Sequence, residues 1–421
     1  MKELVLKKIK GKKVLILGFG IEGQSTLHHL KEVRGYSEIA IADKIPPKEN
    51  IKTYSGEKYL DNLEDYEIVF KSPGVVLPKD RREYKTEITS QVEVFLERYR
   101  EKIIGVTGTK GKSTTSSLIY QILREGEINV VFGGNIGTPV WDLEVGEDTV
   151  IVLELSCHQL EYCGFSPNRA LFLNLYEEHL DHYGTFEKYF QAKKNIYLHQ
   201  SAEDILYGNE KILPSEDEKH GRIIVPDIKK LPFSSLKEIN PKLRGEHTLS
   251  NISFAYSVAS DFKVPDEFFL RALKKFSPLP HRLEFIGEKH GIDFYDDSIS
   301  TASESAISAV KSIENAETLL LGGMDRGIDY SELVNFLLKT KLNIICMYKS
   351  GERLYSMFSD KTKINPKVFY EPDLESAVRK AVEVTRKGKA VILSPASASY
   401  GYFKNFEERG ERFRSIIFEN L

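Results

Sequence analysis

Lys102-Ile103-Ile104-Gly105-Val106-Thr107-Gly108-Thr109-Lys110-Gly111-Lys112-Ser113-Thr114 is the stretch that decides the fold. An apolar run of strand length leads into a glycine-rich loop, and a helix is expected from about residue 113. Strand, glycine loop, helix is the repeating unit of α/β proteins with parallel sheets. The strict pattern G-x-x-x-x-G-K-[ST] does not fit, because Gly105 lies one residue too far upstream of Gly111. The physics survives in the shorter loop. Backbone N–H groups of Gly108, Thr109, Lys110 and Gly111 can wrap phosphate oxygens. Lys112 can reach the β- and γ-phosphates, and Ser113, followed by Thr114, can bind Mg²⁺. An ordinary Gly/Lys turn is the weaker reading of this loop, and ATP is the expected ligand.

Working outward, two further strands are legible at Thr149 to Leu155 and Ala170 to Leu175. Glu154 ends the first, where a metal-binding acid belongs beside a phosphate loop; alone it could equally be any strand-end acid. After the second comes Asn174-Leu175-Tyr176-Glu177-Glu178-His179-Leu180-Asp181-His182, in which a histidine among acids reads as a second metal ligand or as a surface loop. His158 and His182 read as structural, and Cys157 and Cys163 as half-buried bystanders without zinc-ligand spacing. Lys193 and Lys194 lie on an expected helix, and by composition alone they would be a solvated face. Segment 209–242 is rich in Lys, Pro, Asp and Glu and is expected to be irregular or a small antiparallel structure. A helix starts near Thr248.

Upstream, Lys13 to Leu17 reads as a buried strand and runs into Gly18-x-Gly20-x-x-Gly23, with Asp43 closing the next strand. Glycines at this spacing admit a pyrophosphate to a helix N-terminus, and the acid is placed to accept from a ribose hydroxyl. By itself the motif is compatible with NAD, with another nucleotide or nucleotide-sugar, or with a turn that binds nothing. Ile68-Val69-Phe70 then ends in the turn Ser72-Pro73-Gly74. Downstream of the break Ser277-Pro278-Leu279-Pro280, strands are expected at Phe294-Tyr295, Leu319 to Leu321, Asn343 to Tyr348 and Ala390 to Leu393. A helix at 373–385 sets Leu374, Ala377, Val378, Ala381 and Val382 on one face. The reading is three α/β domains: 1–98, 99–280 and 281–421.

Composition narrows the class. The chain has 421 residues, a formal charge of -3 and three cysteines, Cys157, Cys163 and Cys346. There is no basic excess for nucleic acid or membrane surfaces, no disulfide framework and no apolar run long enough to span a bilayer. A soluble, cytoplasmic, multidomain protein is expected.

Several motifs together resemble one family. They are the glycine fingerprint and S-P-G turn, T-G-T-x-G-K-S-T, G-N-I-G, E-L-S-x-x-Q-L-E, N-x-x-x-x-H-L-D-x-Y, A-K-x-x-I-Y, P-H-R, D-D-S, S-P-A-x-A-S and F-K-N-F-x-x-R-G. Their combination, spread over essentially the whole chain, resembles the Mur ligases, and within them the branch that adds glutamate to UDP-N-acetylmuramoyl-L-alanine. The resemblance implies an N-terminal Rossmann-like domain for the UDP group, a central P-loop ATPase with a mostly parallel sheet, and a C-terminal Rossmann-like domain for the amino acid. It implies an ATP-dependent amide ligase of cytoplasmic peptidoglycan precursor synthesis, and so a part in cell-wall biogenesis, cell shape and division.

The same resemblance assigns residues. Gly18, Gly20, Gly23, Asp43, Ser72, Pro73 and Gly74 would hold the uridine diphosphate, and Asn135 would contact the muramoyl group. Ser113 and Glu154 would bind one Mg²⁺; His179 and a carbamylated Lys193 would bind a second, with Lys194 a neighbour only. Asn251 would contact adenine, Asp297 would lie near the ATP ribose, and Arg282 would reach the transferred phosphate. Lys112, His179, Lys193 and Arg282 would be the catalytic set, and Thr301, Arg326, Ser399 and Phe406 the glutamate pocket. The chain departs from the common pattern at Lys110 and Thr248, where asparagines are usual, at Ile299, where a lysine is usual, and at Arg326, also in place of a lysine. D- and L-glutamate therefore both stay open. A folylpolyglutamate synthase-like ligase, a nicotinamide-linked regulator and an inactive scaffold are the competing readings.

Overall fold

The computed structural model describes residues 1–176, 180–243, 246–277, 279–359 and 366–419. The strands are β1 (Lys13–Leu17), β2 (Glu38–Asp43), β3 (Lys52–Ser55), β4 (Ile68–Lys71), β5 (Glu87–Thr89), β6 (Ile103–Thr107), β7 (Val130–Gly134), β8 (Val150–Glu154), β9 (Arg169–Phe172), β10 (Ile205–Gly208) and β11 (Arg222–Ile224). They continue with β12 (Glu284–Lys289), β13 (Ile292–Asp296), β14 (Ala316–Leu321), β15 (Asn343–Met347), β16 (Lys367–Glu371) and β17 (Ala390–Leu393). They form three sheets, ordered β3-β2-β1-β4-β5, β11-β10-β9-β6-β8-β7 and β12-β13-β17-β14-β15-β16. All pairings are parallel except the β12–β13 hairpin. This is the α/β architecture expected, with the central strands buried on both faces as parallel sheets require.

Two compact units carry these sheets: Met1–Pro232 with Ser250–Lys274, and Phe233–Leu249 with Lys275–Leu421. The first unit holds both the first and the second sheet. One hydrophobic cluster runs through Phe70, Phe95 and Leu96 into Trp141, Ile151 and Phe172. Trp141 packs edge-on to Phe70 at 5.5 Å and donates from its indole N–H to the Gln91 carbonyl at 3.1 Å. The helix Gln91–Tyr99, capped by the Ser90 hydroxyl, passes through a single 3-10 turn straight into β6. The expected boundary near residue 98 therefore falls in continuous ordered chain and not in a linker. In the second unit the helix Leu374–Val384 buries Leu374, Ala377, Val378 and Ala381, the face its periodicity marks.

Some local expectations change. The basic N-terminus forms a helix, Lys2–Ile9, anchored by Val5 and Ile9. Within 209–242 the strand β11 runs parallel to β10, not antiparallel, because it extends the second sheet at its edge. Residues 233–249 join the second unit. Cys157 and Cys163 are fully buried, and burial pushes the Cys163 thiol well above its ordinary range. Among the described residues, no helix is long and apolar enough to cross a membrane.

Candidate active site

The loop after β6 is tied down at nearly every residue. The Thr109 N–H donates to the Asn174 carbonyl at 3.0 Å. The Asn174 side chain accepts from the Lys110 N–H and donates to the Lys110 carbonyl, both at 2.9 Å. The Thr109 hydroxyl meets the Tyr189 hydroxyl at 3.0 Å and accepts from the Tyr176 N–H at 2.9 Å. Gly111 caps the helix Lys112–Glu125 at φ +84, a left-handed conformation, and a Cβ there would lie 2.4 Å from Asn251 Oδ1. Asn251 thus sits against the loop. The result is a rigid loop opening onto a helix N-terminus, the arrangement that favours anions. Asn174 is the clamp that sequence reasoning passed over; its place at the exit of β9, the strand beside β6, was the available signal.

Two lysines converge on this loop. Lys112 donates from Nζ to the carbonyls of Gly108 and Thr109, both at 3.0 Å. Lys193 Nζ donates to the same Gly108 carbonyl at 2.9 Å and lies 5.0 Å from the Tyr189 ring centroid. Lys193 is 1% exposed, which overturns the solvated-face reading that composition favours. Lys194 points elsewhere, pairing with Glu218 at 2.8 Å.

Glu154 ends β8, paired in register with Val106 at the end of β6. Its side chain is buried. Oε1 accepts from Asn135 Nδ2 at 2.6 Å, and Oε2 is buried without a hydrogen-bond partner among the described residues. An ionised oxygen so placed costs free energy unless a cation satisfies it. Ser113 is buried at the first turn of the neighbouring helix. A divalent cation suits this donor set of carboxylate and hydroxyl oxygens. His179 lies outside the described residues, together with Glu177 and Glu178. His158 and His182 pack edge to face at 4.5 Å, and His182 Nε2 lies 3.2 Å from Glu161 Oε2.

In the first sheet the strand order reverses between β1 and β4, and ligands of open α/β sheets bind at such switch points. Gly18, Gly20 and Gly23 leave β1 there, and Ser72-Pro73-Gly74 leaves β4. The Ser72 hydroxyl donates to the Gly18 carbonyl at 2.9 Å, and a Cβ on Gly23 would lie 2.1 Å from that carbonyl oxygen. Asp43 accepts from the Phe19 N–H at 2.6 Å and from the Ile45 N–H at 2.8 Å, so in this structure it braces the glycine loop. Glu22, on the helix after that loop, was not foreseen. Burial raises its carboxyl to about 7, against a hydrogen bond from Gln159 and the charge of Lys71. Lys71 is itself buried, and burial lowers its pKa.

The second unit gathers the remaining residues at the carboxyl ends of β13, β17 and β14, adjacent strands of the third sheet. Asp297 follows β13 and accepts from the Ser394 hydroxyl at 2.6 Å and from the Leu283 N–H at 3.1 Å. Ser399 is buried, and its carbonyl accepts from the Phe403 N–H at 3.1 Å. Met324, two residues before Arg326, bridges to Ala398, joining the Gly322–Arg326 turn to the Ser394–Ser399 loop. Ser298 donates to the Phe406 carbonyl at 2.8 Å. Thr301 is half-buried, and Arg282 and Arg326 are exposed. Arg409 was missed. It is wholly buried and donates to the Ser298 hydroxyl and carbonyl and to the Ser397 carbonyl, stapling two site loops together.

A clamped glycine-rich loop at a helix N-terminus, a buried acid and a glycine crevice on parallel sheets define a nucleotide-binding type of α/β protein. Residues 106–225 match the Mur ligase middle domain. The chain is 33% identical to a UDP-N-acetylmuramoylalanine–D-glutamate ligase of Acetivibrio thermocellus, over 98% of this chain and 97% of that one. It is 30% identical to one of Clostridium botulinum, over 97% of each. Its fold is similar to that of the MurF ligase of Thermotoga maritima solved with ADP, with a TM-score of 0.59, 17% identity and 99% of both chains covered. The chain belongs to the Mur ligase family.

Proposed function

We propose that the chain joins glutamate, in the D form, to UDP-N-acetylmuramoyl-L-alanine at the expense of ATP, in the cytoplasm and as a monomer. The observation that carries this reading is the buried oxygen of Glu154, without a hydrogen-bond partner among the described residues, beside a clamped glycine-rich loop; the names of the full-length relatives support the substrate.

A carboxylate is a poor electrophile because its oxygen leaves badly. Transfer of the γ-phosphoryl group of ATP to the alanyl carboxylate makes an acyl phosphate with a good leaving group. The glutamate amine then attacks the carbonyl carbon, and the tetrahedral intermediate expels phosphate. Lys112 and Arg282 supply positive charge to the transferring group, and the backbone N–H groups of 108–111 hold the phosphates in place. Asn251 contacts the adenine, and Asp297 belongs to the ribose side. Mg²⁺, held by Ser113 and Glu154 and at a second site by His179 and a carbamylated Lys193, would neutralise phosphate charge. A physical argument supports that modification: two ammonium groups donating to the one Gly108 carbonyl repel each other, and carbamylation turns Lys193 into an anion. Gly18, Gly20, Gly23, Asp43, Ser72, Pro73, Gly74 and Asn135 bind the UDP-substrate, and Thr301, Arg326, Ser399 and Phe406 the amino acid. We keep 1–98, 99–280 and 281–421 as the three functional domains.

Ile299, which cannot pair with a carboxylate, favours one second reading, the addition of L-glutamate. The test is to incubate the chain with ATP, Mg²⁺ and UDP-N-acetylmuramoyl-L-alanine, offering D- and L-glutamate separately. Phosphate release and a product heavier by one glutamate residue with the D isomer alone is the expected result. Turnover with L-glutamate alone selects the second reading, and no product with either sinks both.

A further inference from the structure

His281, Arg282 and Leu283 form a segment whose backbone is strained on both sides of the arginine. His281 has φ +61 and Leu283 φ +51, the left-handed region that residues bearing a Cβ disfavour. Such geometry persists only where the surroundings over-determine it, and here they do. The His281 N–H donates to Glu284 Oε2 at 3.2 Å, the Leu283 N–H donates to Asp297 Oδ1 at 3.1 Å, and the His281 carbonyl accepts from the Ile299 N–H at 3.2 Å. The imidazole is buried, with Nδ1 2.7 Å from Asp296 Oδ2, while Asp296 Oδ1 accepts from the Ser298 N–H at 2.9 Å. The helix Phe406–Glu419 closes the pair from above. A Cβ on Gly410 would lie 2.1 Å from His281 Nδ1 and 2.5 Å from Asp296 Oδ2, so glycine is required there. Arg409 and Gly410, to which the ligase reading gives no task, thus fasten the adjoining loop and cover this pair.

We infer that His281 is a positioning residue: clamped by Asp296 beneath Gly410, it holds the strained segment in the one conformation that presents Arg282. This deepens the proposed ligase reading and rests on the assignment of Arg282 to the transferred phosphate. The hydrogen bond from Asp296 raises the His281 pKa against burial, and the charges of Asp296, Glu411 and Glu284 add to it. The groups that face the ring are Asp296 beside Asp297, Glu284, and Glu411 at 3.7 Å; Arg414 pairs with Glu284 at 2.9 Å and Arg409 caps the loop. Asp296 thus favours the charged imidazole, and the ion-pair character of the clamp is lost as pH rises through the raised pKa.

The experiment measures steady-state phosphate release by the full chain, with ATP, Mg²⁺, UDP-N-acetylmuramoyl-L-alanine and glutamate, from about pH 6 to 9.5. It compares wild type with His281→Asn, Asp296→Asn and Arg282→Ala. Asparagine tolerates the left-handed conformation, so His281→Asn removes the clamp without adding strain. The expected result is a fall in kcat of roughly 10–100-fold for His281→Asn, with the KM for the UDP-substrate unchanged. Asp296→Asn, which removes the partner that raises the His281 pKa, should lose activity at lower pH than wild type as pH rises. If His281→Asn does not fold, the shifted alkaline limb of Asp296→Asn carries the test. Wild-type kcat and pH profile in both variants, with Arg282→Ala inactive, overturns the inference alone. A fully active Arg282→Ala overturns the assignment of Arg282, and the inference with it.

Discussion

Lys193 and Lys194 are neighbours in sequence with opposite environments: one is buried against the Gly108 carbonyl, the other is paired with Glu218 near the surface. A helix turns 100° per residue, so adjacent lysines must face differently, and packing chooses which one the loop receives. Lys193→Ala should be inactive and partly rescued by short carboxylates such as acetate, while Lys194→Ala should keep near-normal kcat. Equal activity in the two variants would count against any role for Lys193. Lys112 is the simpler case. Its Nζ donates to the carbonyls of Gly108 and Thr109, and Lys112→Ala should melt like wild type yet release no phosphate. Near-normal ligation by that variant would refute the phosphate cradle.

At the scale of elements, the phosphate loop is held from β9 and not only from its own strand and helix. Both polar groups of the Asn174 amide are spent on Lys110. Asn174→Ala leaves a loop N–H and a carbonyl without these partners, a change worth about 1–3 kcal/mol if they remain buried. The expected outcome is a several-fold rise in the KM for ATP with the KM for glutamate unchanged. A variant whose ATP dependence matches wild type would mean that the loop is rigid without this clamp.

For the molecule as a whole, the first unit buries a carboxyl at the crevice of its first sheet. The Glu22 pKa is raised from 4.5 to about 7. A raised folded-state value means that the stabilising contribution is complete below the unfolded value and is lost as pH rises through 4.5 to about 7. Glu22→Gln does not titrate, so its melting temperature should gain on wild type between pH 5 and pH 8, by about a degree or more. Calorimetry that finds the same gap at both pH values would remove Glu22 from the account.

Much of this protein is local and therefore legible in the chain itself. Apolar runs before glycine turns identify the strands because parallel sheets bury both faces, and the residues 107–114 announce a phosphate site because the loop, lysine and hydroxyl are contiguous. Glu154 could be named for the same reason, as the last residue of an apolar run. Other features depend on residues brought together from far apart. Asn174 meets Lys110 only because β9 lies beside β6, and Gly410 meets His281 only because the last helix packs onto β13. Asp43 also braces the Phe19 amide, across the turn between β1 and the helix after it. The contact of Phe70 with Trp141 likewise joins residues far apart in the chain. Sequence alone determined strand, loop and chemistry, because these follow from neighbours along the chain. The tertiary structure decided which lysine and which clamp meet the loop, because burial and close packing are set by residues that sequence separates.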